Sequence, residues 1–229
     1  MSALKSLIRS AVIGLAFAVA TAGAHATPIV DPIGDFLPTY IGGAGGDMDV
    51  VSADVTLIGN TTLRFFAQLN GLVGTTPGGF FVWGLDRGAG TQRFLANSPA
   101  VGAGIFFDSV VIINANATGS INLFGLGGTT SAITSPIVIA GNTITFDLPA
   151  LLFPTQGRAF ADFGWNLWPR DGAGNAHIAD FAPNASTPRV DVVPIPATIW
   201  LLTLGGLIAF GLSRRRGTII VTRAAMTFG

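Results

Sequence analysis

Val51-Ser52-Ala53-Asp54-Val55-Thr56-Leu57-Ile58-Gly59-Asn60-Thr61-Thr62-Leu63-Arg64-Phe65-Phe66-Ala67-Gln68-Leu69 decides the fold class. Val51, Ala53, Val55 and Leu57 fall on one side of an extended chain, opposite Ser52, Asp54 and Thr56. Leu63, Phe65, Ala67 and Leu69 repeat the alternation against Arg64, Phe66 and Gln68. A period of two marks a strand with one buried face, because successive side chains of a pleated backbone point to opposite faces. Gly59-Asn60 supplies residues that tolerate the left-handed backbone of a tight reversal, so the two halves read as a hairpin.

Outward from this hairpin the same grammar continues. Further strands are expected over 80–86, over 105–113, where the apolar run is nearly continuous, and over 121–124. Residues 137–139 and 144–148 read as a pair across Gly141-Asn142. One helical turn is expected at 148–153, and the last strands over 159–167 and 178–181. Eight or nine strands with no amphipathic helix between them predict an all-β chain, an antiparallel β-sandwich or jelly roll spanning 27–182. The proline-flanked stretch 183–192 reads as a linker.

Composition narrows the chemistry. With no cysteine, the chain has no disulfides, thiol nucleophiles or cysteine-held metal centres. All twelve acidic residues are aspartates lying between Asp31 and Asp191, whereas only six of the twelve basic residues fall in that span. The body therefore carries a charge of about −6, which repels phosphate backbones and argues against nucleic acid as a partner. The ends are different. Lys5 and Arg9, an apolar run over 11–22 and Ala24-His25-Ala26 make a secretory signal peptide over 1–26, with Ala24 and Ala26 framing cleavage, and so imply passage through the Sec export machinery.

At the other end, the sixteen uncharged residues 197–212 make a helix about 24 Å long, somewhat short of a hydrocarbon core of about 30 Å. Val192, Val193 and Ile195 lengthen the apolar run. Pro194 and Pro196 bound the helix, and Arg214, Arg215 and Arg216 fix its orientation with the arginines in the cytoplasm. A transmembrane helix is thus expected within 193–216, followed by a short cytoplasmic tail over 217–229. On physics alone a plain tail anchor and a sorting signal read alike. Val193-Pro194-Ile195-Pro196-Ala197, the apolar helix and the arginine triplet together resemble the PEP-CTERM class of bacterial sorting signals, in its VPLPA-type variant. That resemblance implies processing by an exosortase. A precursor held transiently in the inner membrane would pass to the cell surface or extracellular matrix of a Gram-negative bacterium. The body also resembles uncharacterised β-sandwich domains of other PEP-CTERM proteins, through Asp31-Pro32-Ile33-Gly34-Asp35-Phe36, Phe107-Asp108-Ser109-Val110 and Trp165-Asn166-Leu167-Trp168-Pro169-Arg170. The general look is that of carbohydrate-binding or DOMON-like sandwiches.

Within the body, Asp31, Asp35, Asp47 and Asp49 crowd one glycine-rich region and are the candidate calcium ligands, with Asp171-Gly172-Ala173-Gly174-Asn175 as a second oxygen-rich loop. The competing reading is that these aspartates cap turns. Alternation places Phe163, Trp165 and Leu167 in the core and turns Trp168 outward, beside Asn166 and Arg170, where a ring could stack on a sugar of an exopolysaccharide. A glycoside hydrolase would need two facing carboxylates among Asp86, Asp108, Asp162, Asp171 and Asp180. The chain has no Gly-x-Ser-x-Gly elbow to accompany His177, the one histidine beyond the export signal. The reading is therefore a non-catalytic exported surface protein, the alternatives being a carbohydrate-binding module and a hydrolase.

Overall fold

The computed structural model describes residues 27–125 and 128–193. The export signal with Ala24 and Ala26, the motif residues Pro194, Ile195, Pro196 and Ala197, the apolar helix and Arg214, Arg215 and Arg216 lie outside the described residues. Among the described residues no helix is long and apolar enough to cross a membrane.

Among the described residues eleven strands form two sheets: β1 (Ile29–Val30), β2 (Val50–Ile58), β3 (Thr62–Leu69), β4 (Phe80–Asp86), β5 (Ser109–Asn114), β6 (Gly119–Leu123), β7 (Thr130–Ala132), β8 (Ile137–Ala140), β9 (Thr143–Pro149), β10 (Gly164–Arg170) and β11 (Asp191–Val193). The first sheet runs β1-β2-β3-β9-β8, with β11 also beside β2, and the second runs β10-β4-β5-β6-β7. All pairings are antiparallel except β11 with β2. Successive strands β4 to β7 lie side by side as a meander, where a jelly roll would wind its strands through two Greek keys.

The β2–β3 hairpin forms as its pattern predicts. Gly59 (φ 57°) and Asn60 (φ 59°) both take the left-handed backbone, and the Thr61 amide donates to the Ile58 carbonyl at 3.2 Å. One detail differs. The pairing steps from Val50↔Leu69 to Ser52↔Gln68, so Val51 is the extra residue of a β-bulge and Val50 takes the inward position expected of Val51. The two sheets close over one core in which Phe65 of β3 stacks on Phe146 of β9 at 4.7 Å. Trp83 of β4 meets both rings edge-on from the other sheet, at 6.1 and 5.3 Å.

A second apolar cluster lies on the opposite face of the second sheet, where Val82, Val110 and Trp168 are covered by Phe94, Ile105, Phe107, Ile178 and Phe181. These come from the excursion 87–108 and from the segment after β10. That segment borders β10 through isolated bridges at Ile178, Ala182 and Arg189 instead of forming the strand expected at 178–181. The stretch 183–192 is not a free spacer. Asn166 donates to the carbonyls of Pro183 and Ser186, the Trp165 amide donates to Pro188, Val190 is buried, and Asp191 to Val193 pair with β2. These bonds cover an edge that would otherwise present unpaired backbone.

Candidate functional site: a groove on the second sheet and a cluster of acids

Two places concentrate polar groups that the fold leaves without partners. The first is a groove of about 600 Å³ on the outer face of the second sheet, lined among others by Phe80, Arg93, Asn122, Phe124, Trp168 and Arg170. Strand alternation explains the lining, since Phe80 and Val82 of β4, Val110 and Ile112 of β5, and Trp168 and Arg170 of β10 all face away from the core.

Trp168 is not the exposed platform that alternation suggests. It is 1% exposed, with Phe94, Phe107 and Phe181 packed against it at centroid distances of 5.0, 5.0 and 6.2 Å. Its ring lies over Gly84, where a β-carbon would come within 2.5 Å of it. Trp168 therefore forms a buried floor and offers no exposed ring face for a sugar to stack on. The indole Nε1 of Trp168 and the Oδ1 of Asn122 are buried and have no hydrogen-bond partner. At the rim, Arg93 lies over the ring of Phe124 at 4.4 Å and Arg170 over Phe80 at 5.6 Å. Arg170 is braced by the carbonyls of Gly172 and Gly174, and burial lowers its pKa. Neither arginine forms an ion pair among the described residues.

The second place is where the segment 31–36, the start of β2 and the segment 178–182 meet. Asp31, Asp35 and Asp180 each bring a carboxylate oxygen to within 4.8 Å of the others. Asp180 is fully buried and accepts the amides of Val50 and Phe181 at 3.0 and 2.7 Å. Burial first, and then the charges of Asp180 and Asp35, push Asp31 up to about 8. Burial together with Asp35 and Asp49 pushes Asp180 up to about 7, against the amides of Val50 and Phe181, which lower it.

Of the four aspartates expected to gather, Asp31 and Asp35 do so, and Asp180 joins them from far along the chain. Asp49 stands beside them, its two oxygens receiving the Gly34 amide and one of them the Asn70 side chain. Asp47 is elsewhere. It accepts from the amides of Gly74 and Thr76 and from the Thr76 hydroxyl, a turn-capping role that outweighs burial and holds its pKa below the ordinary aspartate value. In the loop 171–175, Asp171 is taken up by Tyr40 and His177 at 2.9 and 2.8 Å, while Asn175 donates to the carbonyls of Phe94 and Pro99.

The aspartates considered for hydrolysis are mostly spoken for. Asp108 pairs with the fully buried Arg87 at 2.7 Å, Asp86 with Arg158 and Asp162 with Arg189, each at 2.8 Å. The buried Arg87–Asp108 pair escapes a reading of the sequence, whose only hint is an arginine directly after Asp86 at the end of an apolar strand. No protein-family model and no curated protein matches the chain.

Proposed function

We propose that the chain is an exported, exosortase-sorted component of the bacterial surface or matrix whose β-sandwich binds acidic exopolysaccharide without catalysis. The sorting half of this reading rests on the signal-like N-terminus and on the Val193-Pro194-Ile195-Pro196-Ala197, helix and arginine series. The observation that carries the binding half is the groove. Although the body's charge of about −6 repels polyanions elsewhere, here two arginines that form no ion pair among the described residues flank an apolar floor that includes Trp168 and Asn122. Planar guanidinium groups held against rings suit the carboxylates of a uronic acid polymer.

The test is retention of the full chain on a uronic-acid polysaccharide against neutral dextran, by affinity electrophoresis and tryptophan fluorescence. Acidic polymer alone should bind, more weakly as salt rises. Arg93→Ala and Arg170→Ala should each weaken binding about tenfold or more, since a hydrogen bond to a charged group contributes about 1.5–3 kcal/mol. Gly84→Val, which displaces the Trp168 floor, should abolish it. Binding of neutral and acidic polymers alike, or arginine variants that bind as the wild type does, would overturn the assignment.

A further inference from the structure

We propose that Asp31, Asp35 and Asp180 form a calcium site that clasps the N-terminal segment of the body to the segment following β10. Three observations converge. The carboxylate oxygens lie within 4.8 Å of one another, and two oxygens on opposite sides of a calcium ion bound at about 2.4 Å stand about that far apart. Asp31 is 4% exposed, and no hydrogen bond reaches its Oδ2, nor the buried Oδ1 of Asp35. No arginine, lysine or histidine forms an ion pair with any of the three among the described residues. Buried carboxylates without cationic partners must hold protons or a metal, because neither burial nor mutual repulsion tolerates several bare negative charges together.

An all-oxygen donor set selects a hard cation, and carboxylates held by the fold suit calcium, which accepts irregular geometry, better than magnesium, which demands a near-ideal octahedron at about 2.1 Å and gives up its waters reluctantly. The surroundings support a fixed cage. Asp180 is held by two backbone amides, and the loop bearing Asp31 and Asp35 is held by the Gly34 amide on Asp49, by Asp31 N–H to Val51 and by Leu37 N–H to Ala179. Asp35 is half-buried and opens one side of the site to solvent, where water completes the coordination.

The experiment is thermal unfolding of the purified full chain at pH 7.5 in EDTA, in 2 mM calcium and in 2 mM magnesium. Calcium well above its Kd should raise Tm by about 5–10 °C, and magnesium should raise it much less. Asp31→Asn should abolish the calcium response and, in EDTA, raise Tm above that of the wild type, because a neutral amide has neither to take up a proton on folding nor to hold a charge among the other acids. Asp180→Asn should abolish the response too. Should that variant not fold, Asp31→Asn decides, since the Asp31 Oδ2 receives no hydrogen bond for the fold to lose. Asp47→Asn should lower Tm and keep the response. An unchanged wild-type Tm in millimolar calcium, an equal response to magnesium, or a full response in Asp31→Asn would overturn the proposal. None of these outcomes depends on polysaccharide binding.

Discussion

Replacing Arg87 by methionine tests how the groove is built. The guanidinium is fully buried. It meets Asp108 Oδ1 at 2.7 Å and donates to the carbonyls of Pro154, Asp108 and Phe124 at 3.0, 3.1 and 3.4 Å. Methionine fills much of the same space but leaves Asp108 charged and supported only by the amides of Arg87 and Ala89. Removing one partner of a buried pair costs about 3–5 kcal/mol, chiefly because the remaining charge has lost its compensation. Against a typical total of about 5–15 kcal/mol, that is a large fraction of stability. Arg87 also opens the excursion that brings Phe94, Ile105 and Phe107 over the second sheet, so tryptophan emission should shift as the cover over Trp168 loosens. Urea unfolding of Arg87→Met, Asp108→Asn and the double variant forms a cycle in which the double should cost less than the sum of the singles. A loss under about 1 kcal/mol for Arg87→Met, or strict additivity, would refute the view that the pair is a coupled clamp.

Two further outcomes follow from the acids and from the tail. Without metal, stability should fall as pH rises from 5 to 7. The folded chain keeps protons on Asp31 and Asp180, faced by Asp35 and Asp49, that the unfolded chain has already released, and each such proton costs about 1.4 kcal/mol of stability per pH unit. Urea titrations in EDTA at the two pH values check this, and a flat or rising profile contradicts it; calcium should shrink the fall by exchanging the protons for the ion. Changing Pro194 and Pro196 together to alanine should leave membrane insertion intact but trap the full-length form, because extended backbone is what a protease cleft accepts and a helix hides its peptide groups. Mass spectrometry of wild type and variant in hosts with and without exosortase decides, and an intact apolar helix on mature wild-type protein would sink the sorting reading.

What the sequence discloses is the part of the fold set by local alternation. The β2–β3 hairpin, the pairing of β8 with β9 and the opposite facing of Trp165 and Trp168 all follow from a period of two and from Gly-Asn turns. Strands with no buried face were not legible: Thr130, Ser131 and Ala132 of β7 are all exposed, and β1 spans only Ile29 and Val30. The outward turn of Val51 is invisible to alternation because a bulge inserts one residue without changing composition. The burial of Trp168 depends on Phe94, Phe107 and Phe181, which are remote in sequence and carry no pattern marking them as its cover. Crowding of aspartates near the N-terminus does not tell which of them meet in space. Each carboxylate chooses its partner in space, so Asp47 turns to Thr76 and Asp180 arrives beside Asp31.

The distribution of charge ties the groove to the acids. Of the six arginines between residues 27 and 193, Arg64, Arg87, Arg158 and Arg189 are each matched to an aspartate, and the remaining two, Arg93 and Arg170, both border the groove. The acids that lack an arginine include the buried Asp31 and Asp180 and the half-buried Asp35, gathered where three chain segments meet. Random placement would let surplus cations and surplus carboxylates find one another, since an exposed pair costs little to form. Here Arg93 and Arg170 form no ion pair among the described residues, and four of the seven buried polar atoms without a hydrogen-bond partner belong to these two places: Trp168 Nε1 and Asn122 Oδ1 near the arginines, Asp31 Oδ2 and Asp35 Oδ1 among the acids. Buried atoms of this kind are costly unless something outside the chain completes them. An anionic ligand in the groove and a cation among the acids would complete both, each supplying the charge that the chain withholds from that place.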